Sequence, residues 1–373
     1  MIRIGFITDL SGPYAGVDGP AGAEAIRMAV ADLGGTVAGK RVEVLIADHH
    51  NKSEVAAAQA REWFDTGGVD VLIGGVNTDT SLAMAEVARQ KHKLFIVVGA
   101  GSTVHTREQR SPYTIQYAYD TATLAQVTGD GVVKAGGKSW FILTADYPFG
   151  LELEKYTTAT VQAAGGRVVG AVRHPHEVAD FAPFLRQAQR SGAQVVGLAS
   201  GHTALVEAVR AANKLGLTKT RKLAGLLVFI DDIHALGLPE AQGMYHADSW
   251  YWNRDAETRA WSRRFFAKFG RMPSSLHAGD YSAALEYLRA VQASNSDEAD
   301  QVLAQLRKAE FNDVFVRNGH LRPDGLLVHD MYLLQVKSPE QATEPWDYDT
   351  IIETVRGDAA VETPAPAKDA HPK

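Results

Sequence analysis

The chain of 373 residues contains no cysteine. This absence excludes disulfide bonds, thiolate zinc sites and cysteine nucleophiles, but it does not fix the compartment, because a large core can stabilise an exported protein without disulfides. No segment approaches the roughly 18 to 20 apolar residues that span a bilayer. Basic residues are also few: the formal net charge is −6 and no dense run of Lys and Arg offsets it, so nucleic-acid binding is not expected.

The N-terminal segment lacks the pattern of a signal peptide, because an alternating strand pattern begins at Ile2 and continues through Ile4 and Phe6. Two interpretations remain open on these residues alone. Either the protein is cytosolic, or it is exported and the sequence begins after the leader, with Met1 added.

What the sequence does contain is a regular alternation of strand-like and helix-like stretches. Helical patterns separate most of the strands, so we expect parallel pairing through βαβ crossovers, with helices on both faces of each sheet. A length of 373 residues exceeds one ordinary core. We therefore predict an α/β fold of two doubly wound parallel-sheet lobes. The strand-like runs cover 3–8, 42–47, 69–73, 94–98, 139–143, 168–172, 194–198 and 223–229.

The C-terminal third, about 243–357, is too short for a further lobe. It contains helical patterns at 255–269 and 278–293 and a strong strand pattern at 326–336. The economical interpretation is that this part completes both lobes, so the chain crosses between them more than once.

The predicted lobe boundaries follow from this interpretation. We expect 1–119 together with 250–329 to form the first lobe, and 120–249 together with 330–357 to form the second. The last stretch, 358–373, combines prolines with Ala, Asp and Lys and is predicted to be a disordered tail.

Two segments resemble a nucleotide-binding or metal-binding motif, but neither matches the motif fully. The segment Gly34–Lys40 resembles a phosphate-binding loop, but Arg41 stands where a Ser or Thr must reach magnesium, and the segment leads from a helix into a strand. His174 and His176 flank Pro175 without a partner cluster for a metal. We therefore predict no catalytic residue, no cofactor and no metal site, and we favour a protein that is not an enzyme.

Ligands of open parallel sheets bind beyond the carboxyl ends of the strands. Two such loops of the first lobe, 74–80 and 99–103, are rich in glycine and hydroxyl side chains. Backbone N–H groups and a helix start can hold an anion there without an arginine. The alternative, that Thr78 only caps its helix and Ser102 only satisfies a turn, weighs about equally for either residue alone. The predicted ligand-binding residues of these loops are Asn77, Thr78, Ala100, Gly101 and Ser102.

The loops that follow the second-lobe strands carry aromatic and acidic side chains. Such rings with one acidic group suit the apolar or hydroxylated end of a small molecule. Ordinary packing at a helix start is a serious alternative for Tyr147 and Phe149, and Asp231 can equally be a first-turn helix carboxylate. The candidates here are Tyr147, Phe149, Gly201, Phe229 and Asp231, and Tyr14 and Tyr119 complete the predicted set.

At these loops the sequence resembles a known family. The opening Ile4–Tyr14 is similar to that of type I periplasmic binding proteins of the branched-chain amino acid class. Each motif is weak alone, but their order and spacing are specific and cover the chain to about residue 357. The further motifs lie at 99–103, 144–150, 222–237, 251–273 and 328–336.

The resemblance implies two α/β lobes, joined by a three-segment hinge, that close around a ligand. It also implies export to the periplasm and delivery of the ligand to the permease subunits of an ABC importer. By motif position, Thr78, Ala100 and Ser102 would hold the ligand carboxylate through hydroxyl and backbone groups. Asp231 would hold an ammonium group, as an acidic residue does in members that bind leucine, isoleucine or valine.

The loops 144–150 and 234–237 are most similar to a subgroup from soil and photosynthetic bacteria that takes up aromatic carboxylates such as hydroxybenzoates. Asp231 departs from this subgroup, in which a small hydroxyl residue is expected. It would either restore amino-acid binding or accept a phenolic hydroxyl. The ligand therefore stays open between an aromatic acid and a branched-chain amino acid or oxoacid.

The leading hypothesis is a monomeric periplasmic receptor for a small carboxylate, with hinge closure rather than chemistry as its mechanism. The alternative is a cytosolic small-molecule sensor on the same fold that regulates a partner protein, which the missing leader permits. An α/β enzyme that uses a nucleotide comes third, because the context of the phosphate-loop-like segment weighs against it.

Overall fold

The computed structural model describes residues 1–175 and 177–361. Within them the first sheet has the order β2-β3-β1-β4-β5-β6, and every neighbouring pair except β2–β3 is parallel. Its strands are β1 (Ile2–Thr8), β2 (Thr36–Val37), β3 (Lys40–Asp48), β4 (Val71–Gly74), β5 (Leu94–Val97) and β6 (Thr114–Gln116).

The second sheet begins with β7 (Ser139–Ala145), β8 (Arg167–His174), β9 (Val195–Ala199), β10 (Lys222–Gly225) and β11 (Tyr245–Asp248). A separate two-stranded ribbon of β12 (His320–Leu321) and β13 (Leu327–Val328) comes before the last strands, β14 (Met331–Val336) and β15 (Asp349–Val355). The order in the second sheet is β15-β14-β11-β10-β9-β7-β8. Strands β7 to β11 pair in parallel, whereas β14 is antiparallel to both of its neighbours.

Helices connect these strands and cover the sheets. No helix in the described ranges combines the length and the apolar character that crossing a bilayer requires. The helices are α1 (Gly19–Asp32), α2 (Ser53–Asp65), α3 (Thr78–Lys91), α4 (Thr121–Lys134), α5 (Pro148–Ala163), α6 (Ala182–Arg190), α7 (His202–Lys214), α8 (Ile230–Leu236), α9 (Leu238–Ala241), α10 (Ala256–Phe269), α11 (Ser275–Ser294), α12 (Ala299–Leu306) and α13 (Gly357–Ala360).

The two sheets confirm the predicted fold class of two doubly wound α/β lobes. The chain passes to the second sheet after β6 and returns after β11 to α10, which forms ion pairs with α1 of the first lobe through Arg264–Asp32 and Lys268–Glu24. It enters the second sheet again at β14. Three segments therefore join the lobes, as the resemblance implies, while the exact residue boundaries of the lobes stay a prediction.

Three details differ from the sequence-based expectation. The strand predicted at 326–336 is divided into β13 and β14. Strands β14 and β15 pair antiparallel because no helix separates them. The predicted tail does not begin at 358, because α13 occupies Gly357–Ala360 and Ala360 is fully buried. Its prolines come only later in the sequence, and the remainder of the predicted tail, 362–373, lies outside the described residues.

The carboxyl groups of Asp18 and Asp280 meet in the interior of the first lobe. Asp18 precedes α1 and accepts a hydrogen bond from the Thr8 hydroxyl at 2.7 Å, and Asp280 faces it from α11. Burial raises the pKa of both carboxyl groups, and that of Asp280 lies well above its ordinary value because it also faces Asp18. Gly22 provides the space for this contact, since a Cβ there would meet both carboxylates and the Phe6 ring.

Substitution Gly22→Ala is expected to lower the free energy of unfolding by about 1 to 3 kcal/mol, the usual cost of forcing an extra methyl group into a filled core. Denaturant unfolding would measure the change. Gly16→Ala is the matched control, because no atom lies within 4 Å of a Cβ at that position. Equal stability of the two variants would show that the contact between α1 and α11 is not tight.

Candidate functional site

The carboxyl ends of the two sheets face each other across a cavity of about 320 Å³. Most of its lining comes from the loops that follow strands in both lobes, as parallel sheets require. Two predicted site residues, Ser102 and Asp231, do not line this cavity. The predicted residues that do line it are Tyr14, Asn77, Thr78, Ala100, Gly101, Tyr119, Tyr147, Phe149, Gly201 and Phe229.

The first-lobe wall begins at the tight turn between β4 and α3. Gly74 and Gly75 have φ angles of 113° and 83°, which residues with a side chain rarely adopt. Asn77 caps α3, because its side-chain oxygen accepts the Thr80 N–H at 3.0 Å, so the alternative that Thr78 is the cap is wrong. Thr78 instead lies in the first turn, where N–H groups have no helical acceptor and present partial positive charge.

The loop after β5 forms the adjoining part of this wall. The N–H of Ala100 donates to the Gly75 carbonyl at 2.7 Å, and the Ala100 carbonyl accepts from Gln116 Nε2 at 2.6 Å. Ala100 therefore lines the cavity with its backbone groups already engaged, contrary to the role that the resemblance implies for them. Gly101 allows the Tyr119 ring to approach closely, because a Cβ on Gly101 would come within 2.8 Å of that ring.

Aromatic rings form the second-lobe wall. Tyr147 stacks on Phe149 with ring centroids 6.2 Å apart, and His202 stacks on Phe229 at 5.5 Å. Tyr14 of the first lobe packs edge-on against His202 of the second, with centroids 5.5 Å apart. The lobes thus touch through side chains at the cavity.

The rings in the cavity are uncharged at neutral pH. Burial lowers the pKa of His202 to about 4. Burial raises the pKa of Tyr147, and it raises that of Tyr14 with a further contribution from Asp9 and Asp79. The described lining residues include Asp79 but no Lys or Arg, so partial positive charge comes from the starts of α3, α5 and α7.

A family model described as periplasmic binding protein matches residues 1–342 of this chain. The chain belongs to the periplasmic binding protein family. The two lobes with the cavity between them agree with this membership.

Solved structures support the same fold for this periplasmic binding protein. A periplasmic binding protein from Burkholderia mallei is 54% identical, with a TM-score of 0.92 and coverage of 97% of this chain and 96% of the other. A branched-chain amino acid ABC transporter periplasmic ligand-binding protein from Burkholderia xenovorans LB400 is 37% identical, with a TM-score of 0.92 and coverage of 96% of both chains.

Two more distant relatives differ in their described ligands. A solute-binding protein of an ABC transporter from Rhodopseudomonas palustris HaA2, solved with p-hydroxybenzoic acid, has a TM-score of 0.85 but 23% identity over 95% of this chain and 97% of its own, so it supports the fold alone. Leu/Ile/Val-binding protein homolog 6 from Brucella melitensis is 30% identical over 211 residues, 55% of this chain. The match spans about half of that curated relative, 53% of its length.

Ser102 has a different contact from the predicted one. Its hydroxyl donates to Glu152 Oε1 at 2.8 Å, while Glu152 Oε2 accepts the Thr103 N–H at 3.2 Å and the Thr121 hydroxyl at 2.7 Å. The carboxylate of a second-lobe helix thus binds the loop of the first lobe and the start of α4. In this binding protein Ser102 stabilises the junction of the lobes instead of lining the cavity.

Asp231 also lies outside the cavity, in the first turn of α8. Arg271, which follows α10 of the first lobe, donates to Asp231 Oδ1 at 3.4 Å and to the Gly16 carbonyl at 2.7 Å. Burial raises the pKa of Asp231 to about 6, and Arg271 opposes that rise. In this structure Asp231 forms an ion pair between the lobes, and its role in holding a ligand ammonium stays a prediction.

Some cavity residues are not identified by the sequence analysis. Asn51 follows β3 and obeys the same strand-end rule as the predicted loops, and His202 directly follows the predicted Gly201. The strand-end rule could therefore have identified both Asn51 and His202. Leu276 reaches the cavity from α11, and no local pattern indicates that a helix so distant in sequence contributes.

Three potential metal ligands, Asp9, Asp48 and His49, converge beside the loop that carries Tyr14. Their atoms already have backbone partners: Asp9 accepts the N–H groups of Gly12 and Tyr14, and His49 Nδ1 accepts the Asn51 N–H at 2.9 Å. With Nδ1 as an acceptor, a neutral imidazole carries its proton on Nε2 and offers no free lone pair. We interpret this cluster as a set of contacts that stabilises the loop that carries Tyr14.

Substitution Ser102→Ala is expected to lower the free energy of unfolding by about 1.5 to 3 kcal/mol. It removes the hydrogen bond to the Glu152 carboxylate and the bond that the Ser102 hydroxyl accepts from the Val104 N–H. Ligand affinity should stay within about twofold, since the Ser102 hydroxyl does not face the cavity. Parallel denaturant unfolding and calorimetric titration would measure both quantities. Thr121→Val removes another hydrogen bond to Glu152. It should lower the free energy of unfolding by a similar amount and leave ligand affinity equally little changed. A large loss of affinity at unchanged stability in Ser102→Ala alone would restore the sequence-based role.

Substitution Arg271→Met is expected to weaken every ligand by a similar factor of about two to five. A partly exposed ion pair contributes up to about 1 kcal/mol, and here it favours the closed arrangement whatever the ligand. Dissociation constants for an aromatic acid and for leucine would be compared in Arg271→Met and in Asp231→Asn. Selective loss of leucine binding in Asp231→Asn would instead indicate contact with a ligand ammonium.

Proposed function

We propose that this protein is the periplasmic receptor of an ABC importer and captures a small aromatic carboxylate by closure of its two lobes. The observation that carries the proposal is the cavity itself. It combines stacked aromatic rings with helix starts from both lobes, and its described lining includes no basic side chain.

Helix starts support the choice of an anionic ligand. Helices α3, α5 and α7 have 14, 16 and 13 residues, and all begin at the cavity. No side chain caps α5 or α7, so the first-turn N–H groups of α7, and those that follow Pro148 in α5, remain available to a ligand. A carboxylate gains from these donors without the strong desolvation that a buried arginine would also require.

The walls favour a ring over an amino acid. An amino acid needs a carboxylate for its ammonium group, and Asp231 is engaged by Arg271 outside the cavity. Asp79, which does line the cavity, belongs to the same helix start that would hold the ligand carboxylate. Offset or edge contacts with Tyr147, Phe149 and Phe229 instead suit a planar ring. A branched-chain amino acid or oxoacid is the competing ligand, consistent with the names of several relatives.

Other parts of the proposal rest on the family. We infer that the chain works in the periplasm as a monomer, hands its ligand to permease subunits and performs no chemistry. Closure and reopening of the lobes are sufficient for this cycle.

The test is a titration of protein that has been unfolded, stripped of carried-over ligand and refolded. Benzoate and 4-hydroxybenzoate are expected to raise the unfolding temperature, because a ligand at a hundred times its dissociation constant adds about 2.7 kcal/mol of stability. Benzamide, which keeps the ring but lacks the charge, is the matched control and should produce little change. A shift with leucine or 4-methyl-2-oxopentanoate alone would contradict the aromatic ligand, and a shift with nucleotides alone would contradict the receptor.

A further inference from the structure

A second cavity of about 340 Å³ adjoins the ligand cavity. The two share four lining residues, Tyr14, Tyr147, Gly201 and His202. Beyond these, its described lining combines an apolar part, which includes Val178, Phe181 and Ala204, with an exposed rim that carries Glu177, Thr203 and Glu207. An apolar group of the right length could therefore extend from one cavity into the other if the shared residues allowed it.

Among the four shared residues, His202 contacts aromatic rings of both lobes. Its ring stacks on Phe229 at an interplanar angle of 16°, and the Tyr14 ring packs edge-on against it at 78°. His202 also has a φ of 53°, in the left-handed region that residues with a side chain seldom occupy. Backbone strain of this kind persists where the surroundings fix it and is concentrated at ligand sites.

The imidazole supplies a neutral surface at this position. Burial lowers the pKa of His202 to about 4, so the ring carries no charge at neutral pH. It therefore does not act as a cation for the ligand carboxylate. Because the flat ring of His202 lines both cavities, we interpret it as the group that separates them.

The first cavity has room for a substituted ring. A cavity of about 150 Å³ is enough to hold benzene, so 320 Å³ accommodates one ring with its carboxylate and leaves volume for further substituents. His202 lines both cavities, so it limits a ligand that extends towards the second cavity by its position and not through the total volume of the first.

We propose that His202 is the specificity-determining residue that sets the greatest ligand length, and that the second cavity is an extension subsite for the apolar tail of an aryl carboxylate. This assignment rests on the proposed function, since it presupposes an aromatic acid in the first cavity. The side chain of His202 closes the extension subsite, and a smaller side chain opens it.

The experiment compares benzoate with biphenyl-4-carboxylate by isothermal titration. Wild-type protein, His202→Gly and His202→Phe would each be measured. Glycine is chosen because it adopts a φ of 53° without strain, so His202→Gly is expected to fold, and thermal unfolding would verify this. His202→Phe keeps a flat ring and removes the nitrogen atoms.

Wild-type protein and His202→Phe are expected to prefer benzoate. His202→Gly should bind benzoate about tenfold more weakly, the size of one lost aromatic contact, and biphenyl-4-carboxylate at least about tenfold more tightly than wild-type protein does. An unchanged ratio of the two affinities in His202→Gly would overturn the assignment, as would a wild-type protein that binds both acids equally. If His202→Gly does not fold, His202→Ala is measured by the same criterion.

Failure of the proposed function gives a different result. A wild-type protein that binds neither acid would contradict the aromatic receptor, and the assignment of His202 with it. A wild-type protein that binds benzoate, combined with His202→Gly that keeps the wild-type ratio, would contradict the assignment alone.

Discussion

Parallel pairing of the central strands is the constraint on which the site depends. In a parallel sheet every strand ends at the same edge, so every following helix begins there. Each lobe therefore presents one edge with loops and helix starts, and the two edges face each other across the cavity. Backbone geometry alone concentrates N–H groups in this space before any side chain is specified. Strands β14 and β15, which pair antiparallel with each other, lie at one end of the strand order in the second sheet. They therefore do not interrupt the edge that β7 to β11 form.

Few side chains in the cavity carry charge. The described lining has one acidic side chain, Asp79, and no Lys or Arg, and its imidazole and phenol groups are neutral at neutral pH. Directly behind the wall, Asp18 follows the cavity residue Val17 and shares its buried position with Asp280. Because burial raises the pKa of both groups, the pair carries less negative charge than two ordinary aspartates would. A fully ionised pair at this place would oppose the binding of a carboxylate.

The sequence predicts the parts of this site that follow from local rules. The strand-end rule places Thr78, Gly101 and Tyr147 at the cavity, because each lies just beyond a parallel strand. It fails for Ser102 and Asp231, since partners distant in sequence decide where those side chains bond: Glu152 engages Ser102, and Arg271 engages Asp231. Leu276 is missed for the same reason. Fold class depends on periodic patterns that a chain displays along its length, whereas side-chain partners depend on packing that no single segment contains.

The contacts between the lobes are unequal in strength and position. Glu152 receives three hydrogen bonds where the loop 101–103 and the start of α4 meet α5. Elsewhere in the described interface the lobes touch through ring contacts, Tyr14 against His202 and Tyr119 against Phe229, and through the ion pair of Arg271 with Asp231. The three bonds to a carboxylate are stronger than ring contacts and a partly exposed ion pair. If the lobes open, we therefore expect Glu152 to keep its partners while the contacts beside the ligand separate, so that a small rotation uncovers the cavity.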